Sequence, residues 1–147
     1  YSHVIVWHND GTFDGHALNG STGKEGWGYY LLHEQELSEN GHIVAILKWG
    51  QAFDGLAYFD RLASVSAVVY DSHLFGTLSN DATGFSLNWV DPSAEGAREE
   101  SNVEIWYRFP LFPGLDPTIS YMAIINPALD PNNSFASTFS LRLVTVF

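Results

Sequence analysis

The chain contains no cysteine, so disulfides, thiolate metal sites and cysteine nucleophiles are excluded. It has few cations: 6 Lys+Arg stand against 17 Asp+Glu, for a formal charge of -11. A nucleic-acid binder needs a basic face to displace counterions, so that class is disfavoured. Charged residues of both signs total only 16%, low against roughly 25% in an ordinary soluble domain. No apolar run approaches the roughly 18 residues of a membrane-spanning helix. No charged-then-apolar leader opens the chain at Tyr1, so no signal peptide is read in it. Gly-x-Ser-x-Gly and phosphate-cradling glycine loops are missing as well.

Aromatics are abundant at 15%, while mean hydropathy is close to neutral. That pairing fits an all-β soluble domain such as a lectin. It equally fits an outer-membrane barrel, in which apolar outward and polar inward residues cancel. At 147 residues one domain is expected, running 1–147. Alternation with period two is the dominant pattern, and helix spacing is poor. Eight strands are predicted, over 3–9, 27–37, 42–49, 62–70, 84–90, 103–111, 118–126 and 134–147. The Asn40-Gly41 pair signals a hairpin, and Phe112-Pro113-Gly114 and Pro127 mark further turns.

The faces separate by parity. Phe85, Leu87 and Trp89 oppose Ser86 and Asn88; Val103, Ile105 and Tyr107 oppose Glu104, Trp106 and Arg108. The last predicted strand sets Phe139, Leu141, Leu143 and Phe147 against Ser140 and Arg142. Aromatics gather toward strand ends (Trp27, Trp49, Trp89, Phe109, Phe147), as interfacial girdles require. Connectors tend to alternate long and short: 9–26, 50–61 and 91–102 are long, 38–41 and 112–117 short. The stretch 71–83 breaks that scheme.

The last third also carries specific motifs. Glu104-Ile105-Trp106-Tyr107-Arg108-Phe109, Ile124-Ile125-Asn126-Pro127, Asp130-Pro131-Asn132-Asn133 and Leu141-Arg142-Leu143 before Phe147 resemble the C-terminal end of the carbohydrate-selective (OprB-type) porins. Leu47-Lys48-Trp49-Gly50, Thr83-Gly84-Phe85-Ser86 and Val6-Trp7-His8-Asn9 with the following Asp10-Gly11-Thr12-Phe13 resemble earlier parts of that barrel. Two positions depart from the family pattern: Leu78-Ser79-Asn80-Asp81 stands where an Arg is usual, and Ser120 where a Gln is.

The resemblance implies an all-β, antiparallel transmembrane β-barrel, with these eight strands as the C-terminal half of a sixteen-stranded porin. It implies passive diffusion of small sugars or other polar solutes, without catalysis or a cofactor, in the bacterial cell outer membrane. Lys48, Glu104, Trp106, Arg108, Arg142, Glu34 and Glu36 are the expected pore-lining residues. Phe147, Leu143, Leu141 and Phe139 resemble the C-terminal signal read by the outer-membrane insertion machinery. Expected partners are small sugars or polar solutes, outer-membrane lipid, the remaining barrel strands (of the same precursor or another chain) and a possible homotrimer; nucleic acid is not expected.

Other readings stand beside this one. A soluble carbohydrate-binding β-sandwich shows the same alternation. A small closed eight-stranded barrel would have side chains filling its interior. Glu34, Glu36 and Glu104 contain the carboxylate pair that glycoside hydrolysis needs, though no motif supports catalysis. Asp10, Asp14 and His16 share one long connector with oxygen and imidazole ligands for a divalent ion, but without a known ligand spacing. No metal site is therefore expected.

Overall fold

The computed structural model describes residues 1–9, 26–53, 59–74, 80–93, 96–128 and 130–145. They form eight strands: β1 (Ser2–Asn9), β2 (Gly26–Glu36), β3 (Ile43–Phe53), β4 (Phe59–Tyr70), β5 (Ala82–Pro92), β6 (Glu100–Arg108), β7 (Leu115–Ile125) and β8 (Phe135–Thr145). All eight lie in one sheet, in sequence order, each antiparallel to the next. Each strand touches only its sequence neighbours.

Two of the alternatives call for a different arrangement. A sandwich needs a second sheet packed about 10 Å from the first, and none exists among the described residues. A closed eight-stranded barrel needs β1 hydrogen-bonded to β8, and the described sheet stays open there.

Each expected strand is present, with displaced ends. β3 runs past Trp49 to Phe53, and β4 begins at Phe59. The long connector expected over 50–61 is therefore mostly strand. Gly50 passes through the ladder because Leu62 and Tyr30 fill the space above it. Likewise β5 continues to Pro92 and β6 starts at Glu100, shortening the connector expected over 91–102. β6 ends at Arg108 rather than 111, since Pro110 has no N–H to donate. The long connector 10–25 lies outside the described residues.

The tight turns form as their residues dictate. Gly41 takes φ 69° and donates to Ser38 O at 3.0 Å, closing the 38–41 hairpin. Gly114 takes φ 84° in the 112–115 turn, where Leu115 N donates to Phe112 O at 2.9 Å. Asp130 Oδ1 accepts from Asn132 N at 3.3 Å, so the Asp-Pro-Asn-Asn motif is turn chemistry. Asp81, only 1% exposed, ties down the residues that follow β4. Its carboxylate accepts from Tyr107 Oη at 2.8 Å, His73 N at 3.1 Å and Ser72 Oγ at 3.1 Å. Burial pushes the Asp81 carboxyl up, but those hydrogen bonds together outweigh it and hold the group below its ordinary value.

Five strands are 11 residues long and β4 is 12. Strands of globular proteins average about 5–6 residues, while a tilted transmembrane strand needs about 9–11.

Candidate functional site

The register sorts the side chains into two faces, because directly paired residues share a side. One rung of the first face reads His33, Leu47, Val65, Leu87, Val103 and Ala123 across β2 to β7. The next reads Gln35, Ala45, Ala67, Phe85, Ile105, Tyr121 and, on β8, Phe139. This apolar face is exposed: Leu47 is 50% accessible, Ile105 55% and Phe139 71%. Within β2 to β7, every exposed large apolar side chain lies on it except Tyr70.

The apolar face changes character toward the sheet end where β2 starts and β3 finishes. Trp49 and Trp89 lie on one rung, and the next carries Tyr29, Gln51, Arg61 and Asp91. Tyr29 Oη donates to Gln51 Oε1 at 3.1 Å, and Arg61 Nη2 meets Asp91 Oδ2 at 2.6 Å. The Arg61 guanidinium sits 5.6 Å over the Trp89 ring, whose Nε1 donates to Glu99 Oε2 at 3.1 Å. Beyond these, Trp27 stacks on Phe53 at 4.3 Å. Tryptophan and tyrosine, each an apolar ring with a polar tip, suit a border between apolar and polar surroundings. Of the expected girdle residues, Trp27, Trp49 and Trp89 fall in this band, Phe109 follows β6 at the other sheet end, and Phe147 lies outside the described residues.

The opposite face holds all seven residues singled out as pore-lining. Glu34 and Glu104 are on one rung, with Ile46, Ser66, Ser86 and Met122. Lys48 is on the rung of Ser64, Asn88 and Asn102. Glu36 and Trp106 share the rung of Gly84, Ser120 and Ser140. Arg108 and Arg142 flank Thr118 on the rung beyond. Glu34 and Glu104 stand four strands apart, about 19 Å along the sheet, against about 5–9.5 Å between the carboxyls of glycosidases.

This polar face is the covered one. Val44, Ala52, Val68 and Ser86 on it are each at most 9% exposed. No second strand layer lies over it among the described residues. Small residues on this face let cross-strand rings lie close to the backbone. Two glycines assist: the Trp7 ring occupies the space above Gly28, and the Trp106 ring that above Gly84. A Cβ at either glycine would collide with the indole. Glycine notches covered by cross-strand aromatics are a known device for curving a sheet.

Polar contacts on this face join neutral groups. Asn88 Nδ2 donates to Asn102 Oδ1 at 2.7 Å and to Ser86 Oγ at 3.2 Å, and Ser120 and Ser140 share a hydrogen bond at 2.7 Å. Among the described residues Glu34, Glu36, Lys48, Glu104, Arg108 and Arg142 make no ion pair or side-chain hydrogen bond. Charges left unpaired on a face demand water. Sequence reasoning missed the two indole-covered glycines and the Ser120–Ser140 pair, because both depend on which strand positions stand opposite.

Leu141, Leu143 and Phe139 lie on the apolar face, while Phe147 is outside the described residues, as are Asp10, Asp14 and His16. No group of acidic, His or Cys side chains fit for a metal ion occurs among the described residues. No known family, characterised protein or solved structure matches the chain.

Proposed function

We propose that this chain is a segment of an outer-membrane β-barrel through which small sugars or other polar solutes diffuse passively. One observation carries the reading: the face with the exposed large side chains is apolar, while the opposite face sets Glu34, Glu36, Lys48, Glu104, Arg108 and Arg142 among mostly small residues. Lipid accounts for the first face and a water-filled lumen for the second. The resemblance to carbohydrate-selective porins rests on the motifs in the sequence and points the same way.

In this reading Lys48, Glu104, Trp106, Arg108, Arg142, Glu34 and Glu36 line the lumen. They replace part of a solute's hydration shell weakly enough to release it. No reaction is catalysed. The edges of β1 and β8 pair with further strands, since open edges are not tolerated in hydrocarbon; eight more would give a sixteen-stranded porin. Phe139, Leu141, Leu143 and Phe147 present the terminal strand to the insertion machinery, and a homotrimer is the natural assembly.

The decisive experiment uses the complete outer-membrane protein bearing this chain, purified in detergent and added to planar lipid bilayers. Stepwise conductance increments, with sugar-driven swelling of proteoliposomes, are expected. A protein that stays soluble without detergent and leaves bilayers silent would refute the proposal.

A further inference from the structure

Two rungs at one end of the polar face place complementary groups side by side. The outer rung reads Arg108, Thr118, Arg142 across β6, β7 and β8. The adjoining one reads Trp106, Ser120, Ser140. The two arginines are one strand apart on either side of Thr118, about 10 Å between backbones. Neither has an ion pair or a hydrogen bond to a carboxylate. Asp116, two positions from Thr118 on the same face and opposite Val144, is the nearest acid by register, and it too is unpaired. The Ser120 and Ser140 hydroxyls are already aligned by their mutual 2.7 Å bond. Trp106 is held over Gly84, on the far side of Arg108 from β8.

From this block we infer a subsite for an anionic monosaccharide: Arg108 and Arg142 take its oxyanion, Thr118, Ser120 and Ser140 its hydroxyls, and the Trp106 ring its apolar edge. The inference rests on the porin reading and narrows its solute class. Guanidinium forks are suited to carboxylate and phosphate geometry. Hydroxyl side chains, able to donate and accept, suit a polyol. Two like charges on one rung repel until an anion sits between them, so a neutral sugar gains nothing from the pair.

The test measures permeation of glucose, gluconate and glucose 6-phosphate through the complete protein in proteoliposomes. Parent, Arg108→Gln, Arg142→Gln, the double variant and Lys48→Gln are compared. The double variant should lower the gluconate-to-glucose ratio about tenfold, as loss of charge-assisted hydrogen bonds implies. A fall for gluconate alone assigns the site to sugar acids, and a fall for both anions to sugar oxyanions in general. A fall in Lys48→Gln equal to that of either single arginine variant, each removing one positive charge from the same face, would show a diffuse field and overturn the subsite. So would an unchanged ratio in an active channel. A parent protein that forms no channel refutes the porin reading instead.

Discussion

Leu87 and Asn88 are adjacent in the middle of β5 and point to opposite faces, so one substitution at each tests the face assignment directly. Leu87 is central on an 11-residue strand that would span about 26 Å of bilayer if tilted about 45°. The polar rung holding Asp91 is about 14 Å away along the strand, beyond the reach of an arginine side chain at position 87. Leu87→Arg therefore places a guanidinium near the bilayer midplane, at a cost of about 2–4 kcal/mol. At about 3 kcal/mol the folding equilibrium shifts roughly a hundredfold. Asn88→Arg adds the same charge on the polar face and costs only the Asn88 hydrogen bonds to Ser86 and Asn102, about 1 kcal/mol each. Leu87 is 43% exposed, so in a soluble protein Leu87→Arg would be close to neutral. The assay is reversible urea unfolding of the complete protein from lipid vesicles, followed by tryptophan fluorescence. Equal midpoints for the two arginine variants would break the reasoning.

Further outcomes follow from other positions. Gly84→Ala should destabilise by about 1–3 kcal/mol, because its Cβ displaces the Trp106 indole, and Trp106→Ala in that background should recover part of the loss; additive losses in the double-mutant cycle would count against the notch. Asp81 has a depressed folded pKa, so the stability it lends the 71–81 connector is complete above the unfolded value of about 3.9 and is lost as pH falls through the lower folded value. Proteolysis of that connector in detergent should accelerate on acidification through this window, and Asp81→Asn should be cut readily at neutral pH; a pH-independent parent would contradict this. A tag at Ala97 and one at Glu39 lie at opposite sheet ends, so with 93–99 outside the cell only the first should be labelled on intact cells; the reverse pattern would invert the orientation.

Strand number, strand order and face parity were legible because period two survives in nearly every strand and the turn residues are explicit. Strand ends were less so. Gly50, Asp60 and Pro92 look like connector residues, yet they fall in β3, β4 and β5, since pairing across the sheet overrides local preference. Parity alone placed Trp106 with Glu104 and Arg108. It said nothing of Gly84 beneath the ring, which depends on β5–β6 register. The Arg108–Thr118–Arg142 rung was hidden for the same reason: three strands must be aligned before two distant arginines become neighbours.

Two deficits of the described sheet constrain what surrounds it. Leu47, Val65, Leu87, Ile105, Phe139, Leu141 and Leu143 are all between 43% and 71% exposed on one face. At about 1.5–3 kcal/mol for each side chain fully buried, even half of that burial rivals the whole stability of a domain, about 5–15 kcal/mol. Such a face needs an apolar neighbour. The second deficit is the pair of open edges on β1 and β8. In the proposed reading lipid would cover the face but could not hydrogen-bond the edges, so both needs would be met together by closure into a barrel. Closing these eight strands on themselves would pack the polar face into a filled interior. The acids Glu34, Glu36, Glu104 and Asp116 and the bases Lys48, Arg108 and Arg142 would then lose water, at a desolvation cost of several kcal/mol per ion that pairing must repay. Closure with additional strands keeps those charges wet, satisfies both edges and leaves the apolar face to lipid. The porin proposal is therefore also the arrangement of least electrostatic cost for this sheet.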